Sequence, residues 1–191
     1  LRRSRGLGDV YKRQDMGGGL GVNYVGEETI QPLELIESYE KIFAGRNERL
    51  ILEPGRSISA NAGIMLTRVE YKKNNFLIAD AAMNDLLRPA LYQAHHDVWH
   101  VRKTNNAASN VNLVGPICET GDFLAKNINI EGSEGDLLAV KTVGAYGFVM
   151  SSNYNSRPRA SEIMVDKDKF YLIRKREDYS SLTALEEGLD D

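Results

Sequence analysis

The sequence predicts an α/β plus β architecture, in which the end of a (β/α)8 barrel is followed by a mostly β domain. Two observations predict it. Near the start, a glycine-rich loop, a helical pattern, an apolar strand and a charged motif follow one another, which is typical of a barrel unit. From about residue 60 to residue 175, short apolar runs alternate with glycines and asparagines, which is typical of β-strands and turns.

Residues 1–14 differ in composition from the rest of the chain. They carry five basic residues against one acidic residue, a net charge of +4, whereas the whole chain carries −3. The stretch before the glycine loop is mostly polar, although such a loop usually follows a buried apolar strand. We therefore expect residues 1–14 to be a non-native leader; a divergent strand end is the alternative. The barrel part is expected at 15–57 and the β-rich domain at 58–191.

The predicted barrel part begins at the loop Gly17–Gly19. Pro32 suits the first turn of a helix, and apolar residues then recur at helical spacing until Gly45 provides a stop signal. Residues 50–52 are a short buried-strand candidate that ends at Glu53. A stretch of this length supplies only the last one or two units of a barrel, because each unit needs both a strand and a helix.

Six strand candidates make up the predicted β domain. They are residues 64–71, 76–79, 111–114, 137–140, 163–165 and 170–173. A turn is predicted at Asp166–Asp168, between the last two of these strands. Residues 84–94 are predicted as a short helix, and residues 105–110 and 151–159 as loops. The polar motifs of this domain are therefore expected on loops and on one helix.

Composition excludes several classes of function. Basic and acidic residues number 24 and 27, so the charge is too close to neutral to suggest a nucleic-acid partner. No apolar run is long enough to span a bilayer, and no membrane partner is expected. The one cysteine, Cys118, cannot form an internal disulfide, which favours a cytoplasmic location.

Two motifs of the barrel part suggest binding of an anion or a cofactor. Consecutive glycines such as Gly17, Gly18 and Gly19 let backbone N–H groups close around an anion, and an ordinary tight turn is the alternative. Glu53 could keep a pyridine nitrogen protonated, or it could pair with an arginine. The guanidinium of Arg56 suits either a phosphate or a carboxylate, and the sequence leaves both open.

Five polar residues of the β domain are further candidates. On a helix, Arg88 and Tyr92 face the same way and can reach one carboxylate; a surface arginine and a core tyrosine are the alternative. Cys118 and Glu119 follow Gly-Pro, which is typical of an active-site loop, although a lone cysteine is usually a small buried apolar residue. Tyr146 lies in a turn next to a glycine.

Three histidines invite a metal interpretation, because His96 and His100 are four residues apart. The glutamate that a zinc hydrolase carries between its two histidines is missing, and the residues in between are typical of a strand. No metal site is therefore predicted. His95, His96 and His100 are expected on a loop and on a strand surface instead.

Five motifs, in this order, resemble the C-terminal half of the diaminopimelate decarboxylases, pyridoxal-phosphate enzymes of the alanine-racemase-like fold type III. The motifs are Gly17-Gly18-Gly19-Leu20-Gly21, Glu53-Pro54-Gly55-Arg56, Leu87-Arg88-Pro89-Ala90-Leu91-Tyr92, Gly115-Pro116-Ile117-Cys118-Glu119 and Ala145-Tyr146-Gly147-Phe148. The resemblance extends from about Asp15 to the end of the chain. It implies decarboxylation of meso-diaminopimelate to L-lysine, the last step of lysine biosynthesis, with pyridoxal 5'-phosphate as the cofactor.

The resemblance also implies a role for each matching residue. Residues expected to bind the cofactor are Gly17, Gly18, Gly19, Glu53, Gly55, Arg56 and Tyr146, and residues expected to bind the substrate are Arg56, Arg88, Tyr92, Glu119 and Tyr146. Glu53 is expected beside the ring nitrogen, and Arg88 with Tyr92 at the carboxylate of the far end of the substrate. Cys118 is the expected proton donor, acting at the cofactor of the partner subunit of a homodimer, with Glu119 at the distal amino group.

Two alternatives remain. A decarboxylase for ornithine, arginine or carboxynorspermidine has the same fold, but relatives that act on simple diamines or basic amino acids carry Asp where this chain has Glu119. A catalytically dead β-rich interaction module is the other alternative, although the glycine loop, Glu53, Cys118 and Tyr146 are all retained. The chain has no counterpart of the family's cofactor-binding lysine, so we expect these 191 residues alone to be inactive.

Overall fold

The computed structural model describes residues 12–102 and 107–188. Residues 1–11 of the expected leader, and residues 105–106 of an expected loop, lie outside the described residues. The described residues form a two-stranded parallel sheet, a six-stranded sheet and a two-stranded hairpin. Among their helices, none combines the length and the apolar character needed to cross a bilayer.

A β-α-β unit forms the N-terminal region. Its elements are β1 (Arg13–Asp15), α1 (Pro32–Ile42) and β2 (Arg49–Ile51), and the short helix α2 (Arg56–Ser59) follows. Gln31 precedes α1 as its N-cap, and its backbone N–H donates to the carboxylate of Glu34 at 3.0 Å. Strands β1 and β2 are parallel, so their carboxyl ends lie at the same edge.

Strand β1 includes Arg13 and Gln14, two residues that the sequence assigns to the leader. All three of its side chains are exposed, and the strand is held by backbone pairing that sets Gln14 opposite Leu50. A strand that is held by its backbone alone needs no apolar side chain. The polar composition of this stretch therefore gave no strand signal, because strands are recognised by their apolar positions.

The β domain is built on a six-stranded sheet with the strand order β5-β8-β3-β4-β6-β7. Its strands are β3 (Met65–Lys73), β4 (Phe76–Ala79), β5 (Val98–His100), β6 (Ser109–Val114), β7 (Phe123–Ile130) and β8 (Leu137–Val140). Neighbouring strands are antiparallel, except that β4 and β6 are parallel. The prediction of a mostly β domain is therefore confirmed.

The six-stranded sheet curls until its two edge strands approach each other. His100 of β5 donates from Nε2 to the carbonyl oxygen of Glu131, which directly follows β7, at 2.8 Å. Inside the curl, Leu77, Leu113 and Leu138 project from three different strands and are fully buried. Complete burial of such a side chain contributes about 1.5–3 kcal/mol, so this core stabilises the domain.

Strand β7 is absent from the strands that the sequence predicts. Polar residues interrupt its apolar positions, and Asn127 has a left-handed backbone with a φ of 53°. The N–H of Asn127 donates to the side-chain oxygen of Asn112 at 3.0 Å, close to where the register with β6 shifts. A bulge of this kind breaks the two-residue alternation by which a strand is recognised.

Helix α3 (Arg88–Tyr92) is shorter than the helix predicted at residues 84–94. It ends at Gln93, which adopts the left-handed conformation with a φ of 53°. The residues before it form turns instead, because the carboxylate of Asp85 accepts the backbone N–H of Ala82 at 3.0 Å. The helix is therefore a single turn that presents Arg88 at its start.

A hairpin and a short helix follow the six-stranded sheet. They are β9 (Glu162–Asp166), β10 (Lys169–Arg174) and α4 (Tyr179–Thr183). The predicted turn between the two strands is confirmed, with Lys167 in a left-handed conformation at a φ of 57°. No sequence pattern indicated α4, which is capped by the carboxylate of Asp178 accepting the Ser181 N–H at 2.8 Å.

Two glycines fasten the segment after α2 to the β domain. A Cβ on Gly63 would lie 2.5 Å from the Cα of Gly144, and a Cβ on Gly144 would collide with the carbonyl oxygen of Ser59. The backbone N–H of Gly144 also donates to the carbonyl oxygen of Ala60 at 3.0 Å. Backbone therefore packs directly on backbone here, and this contact holds the turn that contains Tyr146 beside the end of α2.

The close backbone contact predicts that Gly144→Ala destabilises the chain. The added methyl has no room unless Ser59 moves, and overpacking of this kind costs typically about 1–3 kcal/mol. The free energy of unfolding is to be measured by urea titration. Gly121→Ala is the matched control, because a Cβ there meets no atom within 4 Å. Equal stability of the two variants would contradict the packing described here.

Candidate active site

The glycine loop and the Glu53 motif lie side by side. They follow β1 and β2, and because these strands are parallel, both motifs leave the sheet at the same edge. The carbonyl oxygen of Gly17 accepts the backbone N–H of Glu53 at 2.8 Å, and a Cβ on Gly18 would collide with the Glu53 carbonyl oxygen. Gly19 has a φ of 85°, which favours glycine. The structure thus brings the two sequence motifs together.

Tyr146 connects this loop pair to the β domain. It has a left-handed backbone with a φ of 60°, and 43% of the residue is exposed. Its hydroxyl lies 4.0 Å from the position that a Cβ would take on Gly55. Its ring centroid lies 5.8 Å from the guanidinium carbon of Arg88. Tyr146 therefore lies between the Glu53 motif and Arg88.

Arg88 is the central charged group of the site. Only 7% of the residue is exposed, and no acidic side chain among the described residues forms an ion pair with it. Its guanidinium carbon lies 5.3 Å from the ring centroid of Tyr24 and 6.0 Å from that of Tyr92. Arg88, Tyr24, Tyr92, Tyr146 and His96 form what we call the Arg88 cluster. It holds a buried positive charge that is available to an anion.

His96 completes the Arg88 cluster from the loop after α3. Its Nδ1 lies 2.9 Å from the carbonyl oxygen of Lys141, and its Nε2 accepts the Nε–H of Arg88 at 3.4 Å. Burial lowers the pKa of His96 below its usual value of 6.5; the charge of Arg88 adds to this effect, and the bond to Lys141 opposes it. The imidazole is therefore neutral, as an acceptor for an arginine must be.

The expected surface position of the histidines is wrong for His96, of which 1% is exposed. Because His96 follows a helix end, its burial depends on packing between α3 and the segment after β8, which no local pattern reveals. Tyr24 was also missed, although its ring contacts that of His96 edge-on at 5.2 Å between centroids. The described residues contain no group of three or more His, Cys, Asp or Glu arranged to hold a metal ion.

Cys118 and Glu119 lie on an exposed loop, Gly115–Asp122, which we call the Cys118 loop. The buried carboxylate of Asp122 organises it by accepting the backbone N–H of Ile117 at 2.8 Å and that of Met83 at 2.7 Å. Burial raises the pKa of Asp122, although these two hydrogen bonds act in the opposite direction. Asp122 thus ties the loop to the residues that precede α3.

Glu119 has a partner that the sequence did not indicate. The hydroxyl of Tyr154 donates to its Oε2 at 3.2 Å, and this hydrogen bond raises the pKa of Tyr154. Among the described residues, no hydrogen bond, ion pair or ring contact joins Cys118 or Glu119 to the Arg88 cluster. The predicted site residues therefore form two separate groups within one chain.

Arg56 begins α2, directly after Gly55. It is partly buried, and it makes no ion pair among the described residues. Its backbone carbonyl accepts the N–H of Ala60, so the short helix fixes its position next to the Glu53 motif. This position is compatible with a phosphate and with a substrate carboxylate alike.

These features define a class of protein, namely a sheet domain that supports a ligand site at the ends of parallel strands. The chain belongs to the pyridoxal-dependent decarboxylases, because the family model of their C-terminal sheet domain matches residues 10–144. The resemblance seen in the sequence is thereby confirmed.

Individual relatives agree with this assignment. The chain is 53% identical over 182 residues to the diaminopimelate decarboxylase of Vibrio cholerae, covering 93% of this chain and 44% of that protein. It is 53% identical over 186 residues to that of Pseudomonas aeruginosa, covering 95% and 45%. The crystal structure of diaminopimelate decarboxylase from Helicobacter pylori complexed with L-lysine matches with a TM-score of 0.85 and 43% identity, covering 90% and 44%. The chain thus spans less than half the length of these relatives.

The contacts of Asp122 predict that Asp122→Ala loosens the Cys118 loop. The substitution leaves the amides of Ile117 and Met83 without their acceptor, and each unpaired buried group costs about 1–3 kcal/mol. We expect faster hydrogen exchange in peptides that contain these two amides, together with a lower free energy of unfolding. Asp168→Ala, in the exposed β9–β10 turn, is the control. Unchanged exchange at Ile117 would mean that Asp122 does not hold the loop.

Proposed function

We propose that this chain is the C-terminal part of a pyridoxal-phosphate-dependent decarboxylase that converts meso-diaminopimelate to L-lysine. The observation that carries the proposal is the buried guanidinium of Arg88, which has no acidic partner among the described residues. A buried charge without a partner is costly, so such a group is kept where an anionic ligand completes it. The carboxylate at the far end of diaminopimelate is such a ligand. The names of the relatives described above point to the same substrate.

The residues present fit the cofactor. Gly17 and Gly19 have positive φ values of 69° and 85°, and no atom lies within 4 Å of the position of a Cβ on either residue, so the backbone of this loop is open to a phosphate. The Glu53 side chain is exposed beside this loop and can meet a ring nitrogen. When bound, pyridoxal phosphate supplies a protonated ring that delocalises the electron pair left by the departing carbon dioxide.

Each site residue has a separate task in this proposal. Glu53 keeps the ring nitrogen protonated, and Arg88 with Tyr92 binds the distal carboxylate. This contact with the far end of the substrate orients the whole molecule. Binding energy at the distal carboxylate thereby positions the carbon–carboxylate bond that breaks at the opposite end. Glu119 binds the distal amino group, and the thiol of Cys118 returns a proton to the carbon that lost carbon dioxide.

The domain boundaries are part of the proposal. The parallel β1–β2 pair and α1 support the assignment of residues 15–57 to the end of a (β/α)8 barrel, since parallel strands joined by a helix are its repeating unit. Residues 58–191 then form the sheet domain. Apolar side chains of α1, such as Leu33 and Ile36, are exposed, and the remainder of such a barrel would cover them. A cytoplasmic location agrees with the single, exposed Cys118.

The substrate is to be tested in a hybrid enzyme, in which residues 15–191 of this chain replace the matching part of the Vibrio cholerae relative. We expect faster carbon dioxide release from meso-diaminopimelate than from lysine, ornithine or arginine. Arg88→Ala should lower kcat/KM for meso-diaminopimelate roughly ten- to a hundredfold, because a charge-assisted hydrogen bond is lost.

The control for this substitution is Arg68→Ala, because Arg68 is exposed on β3 and pairs with Glu70 at 2.8 Å. Its removal should leave kcat/KM unchanged, since exposed ion pairs contribute little. Faster turnover of ornithine than of meso-diaminopimelate by the hybrid enzyme would overturn the substrate assignment. An unchanged kcat/KM in Arg88→Ala would show that the arginine has only a structural role.

We further propose a homodimer with shared sites. Among the described residues, no hydrogen bond, ion pair or ring contact joins Cys118 or Glu119 to the Arg88 cluster, which supports this arrangement. The exposure of both Cys118 and Glu119 also agrees with contact to another subunit. A two-fold symmetric dimer makes two equivalent sites of this kind.

The shared site predicts complementation between two inactive hybrid enzymes. One lacks the cofactor-binding lysine of the N-terminal part, and the other carries Cys118→Ala. After subunit exchange, about one quarter of the original activity should return, because half of the dimers are mixed and each has one intact site. Exchange is to be followed with two affinity tags. Exchange without recovery of activity would assign both residues to one subunit.

A further inference from the structure

We propose that His96 is a positioning residue, which holds the Arg88 guanidinium through a neutral imidazole and so determines affinity for the distal carboxylate. The part of this inference that concerns the substrate rests on the proposed function. The part that concerns the imidazole does not, because it follows from contacts within this chain. His96 lies outside the motifs by which the sequence indicates a site. Its side chain contacts three residues, Arg88, Lys141 and Tyr24.

The backbone of Lys141 determines which nitrogen of His96 carries the proton. A carbonyl oxygen can only accept, so Nδ1, 2.9 Å away, must be the protonated nitrogen. The lone pair of Nε2 is then free to accept the Nε–H of Arg88 at 3.4 Å. The opposite tautomer would place N–H against N–H at this contact. The geometry is therefore compatible with one neutral form of the imidazole.

Holding Arg88 by its Nε leaves the two terminal nitrogens of the guanidinium for a ligand. No side chain among the described residues accepts a hydrogen bond from them. A carboxylate can bind two parallel N–H groups of a guanidinium at once, which requires the planar group to have a defined orientation. The rings of Tyr24, Tyr92 and Tyr146 surround this plane, but an aromatic face accepts a range of cation positions. The hydrogen bond to His96 is the directional contact.

Protonation of His96 would destroy this arrangement. The imidazolium has no lone pair for Arg88, and it places a second positive charge beside the guanidinium. The charged or titratable groups around His96 are Arg88, its neighbour His95, the phenol of Tyr24 and Lys126, which lines the same small cavity. Asp97 follows His96 in the chain, but its carboxylate pairs with His95 at 3.1 Å, and no carboxylate among the described residues makes a hydrogen bond or ion pair with His96. Affinity for the carboxylate should therefore fall in acid, once the pH drops below the lowered pKa of His96.

The kinetic test uses two ligands of the hybrid enzyme that differ at the carboxylate. L-Lysine retains a carboxylate for Arg88, and cadaverine has the same length without one. In His96→Leu, we expect the inhibition constant of L-lysine and the KM for meso-diaminopimelate to rise roughly tenfold, from loss of one hydrogen bond to a charged group. The inhibition constant of cadaverine should stay unchanged.

The variant His96→Gln separates positioning from packing. Its side-chain oxygen can accept the Arg88 Nε–H, so the affinity for L-lysine should be largely restored. Its amide does not titrate, so the loss of L-lysine affinity in acid should be absent. Equal weakening of L-lysine and cadaverine in either variant, or an acid limb that persists in His96→Gln, would overturn the proposal.

Nitrogen NMR of the histidine-labelled hybrid enzyme gives a result that does not depend on activity. The His96 signals, assigned by their loss in His96→Gln, should be those of a neutral ring protonated at Nδ1. A ring protonated at Nε2, or at both nitrogens near neutral pH, would overturn the inference even if decarboxylation is as proposed. Conversely, the expected tautomer in an enzyme that prefers another substrate would reject the proposed function alone.

Discussion

The burial of Arg88 is the constraint on which the site depends. A guanidinium withdrawn from water must be compensated, and no carboxylate among the described residues does this. Three aromatic rings and one neutral imidazole surround it instead. Tyr24 follows the glycine loop, Tyr92 belongs to α3, His96 follows α3 and Tyr146 follows β8. These groups do not neutralise the positive charge of Arg88, because aromatic rings and a neutral imidazole carry no negative charge. A ligand carboxylate would neutralise it.

Assembly of this site depends on close backbone contact between distant segments. Gly63 and Gly144 pack without side chains, which brings the turn with Tyr146 against the end of α2. The parallel pairing of β1 with β2 brings the glycine loop against Glu53 in the same way. A methyl group added to Gly144 or to Gly18 would collide with a backbone carbonyl oxygen. The curled sheet provides the rigid core that holds both contacts in place.

The Cys118 loop is held by different contacts. The buried carboxylate of Asp122 holds it in place, and both Cys118 and Glu119 are exposed. Tyr154 holds the Glu119 carboxylate at the surface. The exposed thiol of Cys118 and the exposed carboxylate of Glu119 are compatible with the shared site proposed above. The Arg88 cluster and the Cys118 loop are thus each held by their own buried polar contacts.

Local pattern was sufficient for the motifs and for most of the strands, because periodicity and glycine spacing act over a few residues. It failed for β1, which is held by its backbone alone, and for β7, whose bulge at Asn127 breaks the alternation. The sequence also identified Arg88 as a candidate, through the resemblance of its motif to that of the diaminopimelate decarboxylases; its spacing to Tyr92 alone left a surface arginine as the alternative. Only the tertiary structure decided that His96 is buried and that Tyr24 lies against it, because those contacts join segments about 70 residues apart in sequence. Such contacts arise from packing around a buried charge. Packing of this kind produces no periodic pattern in the sequence.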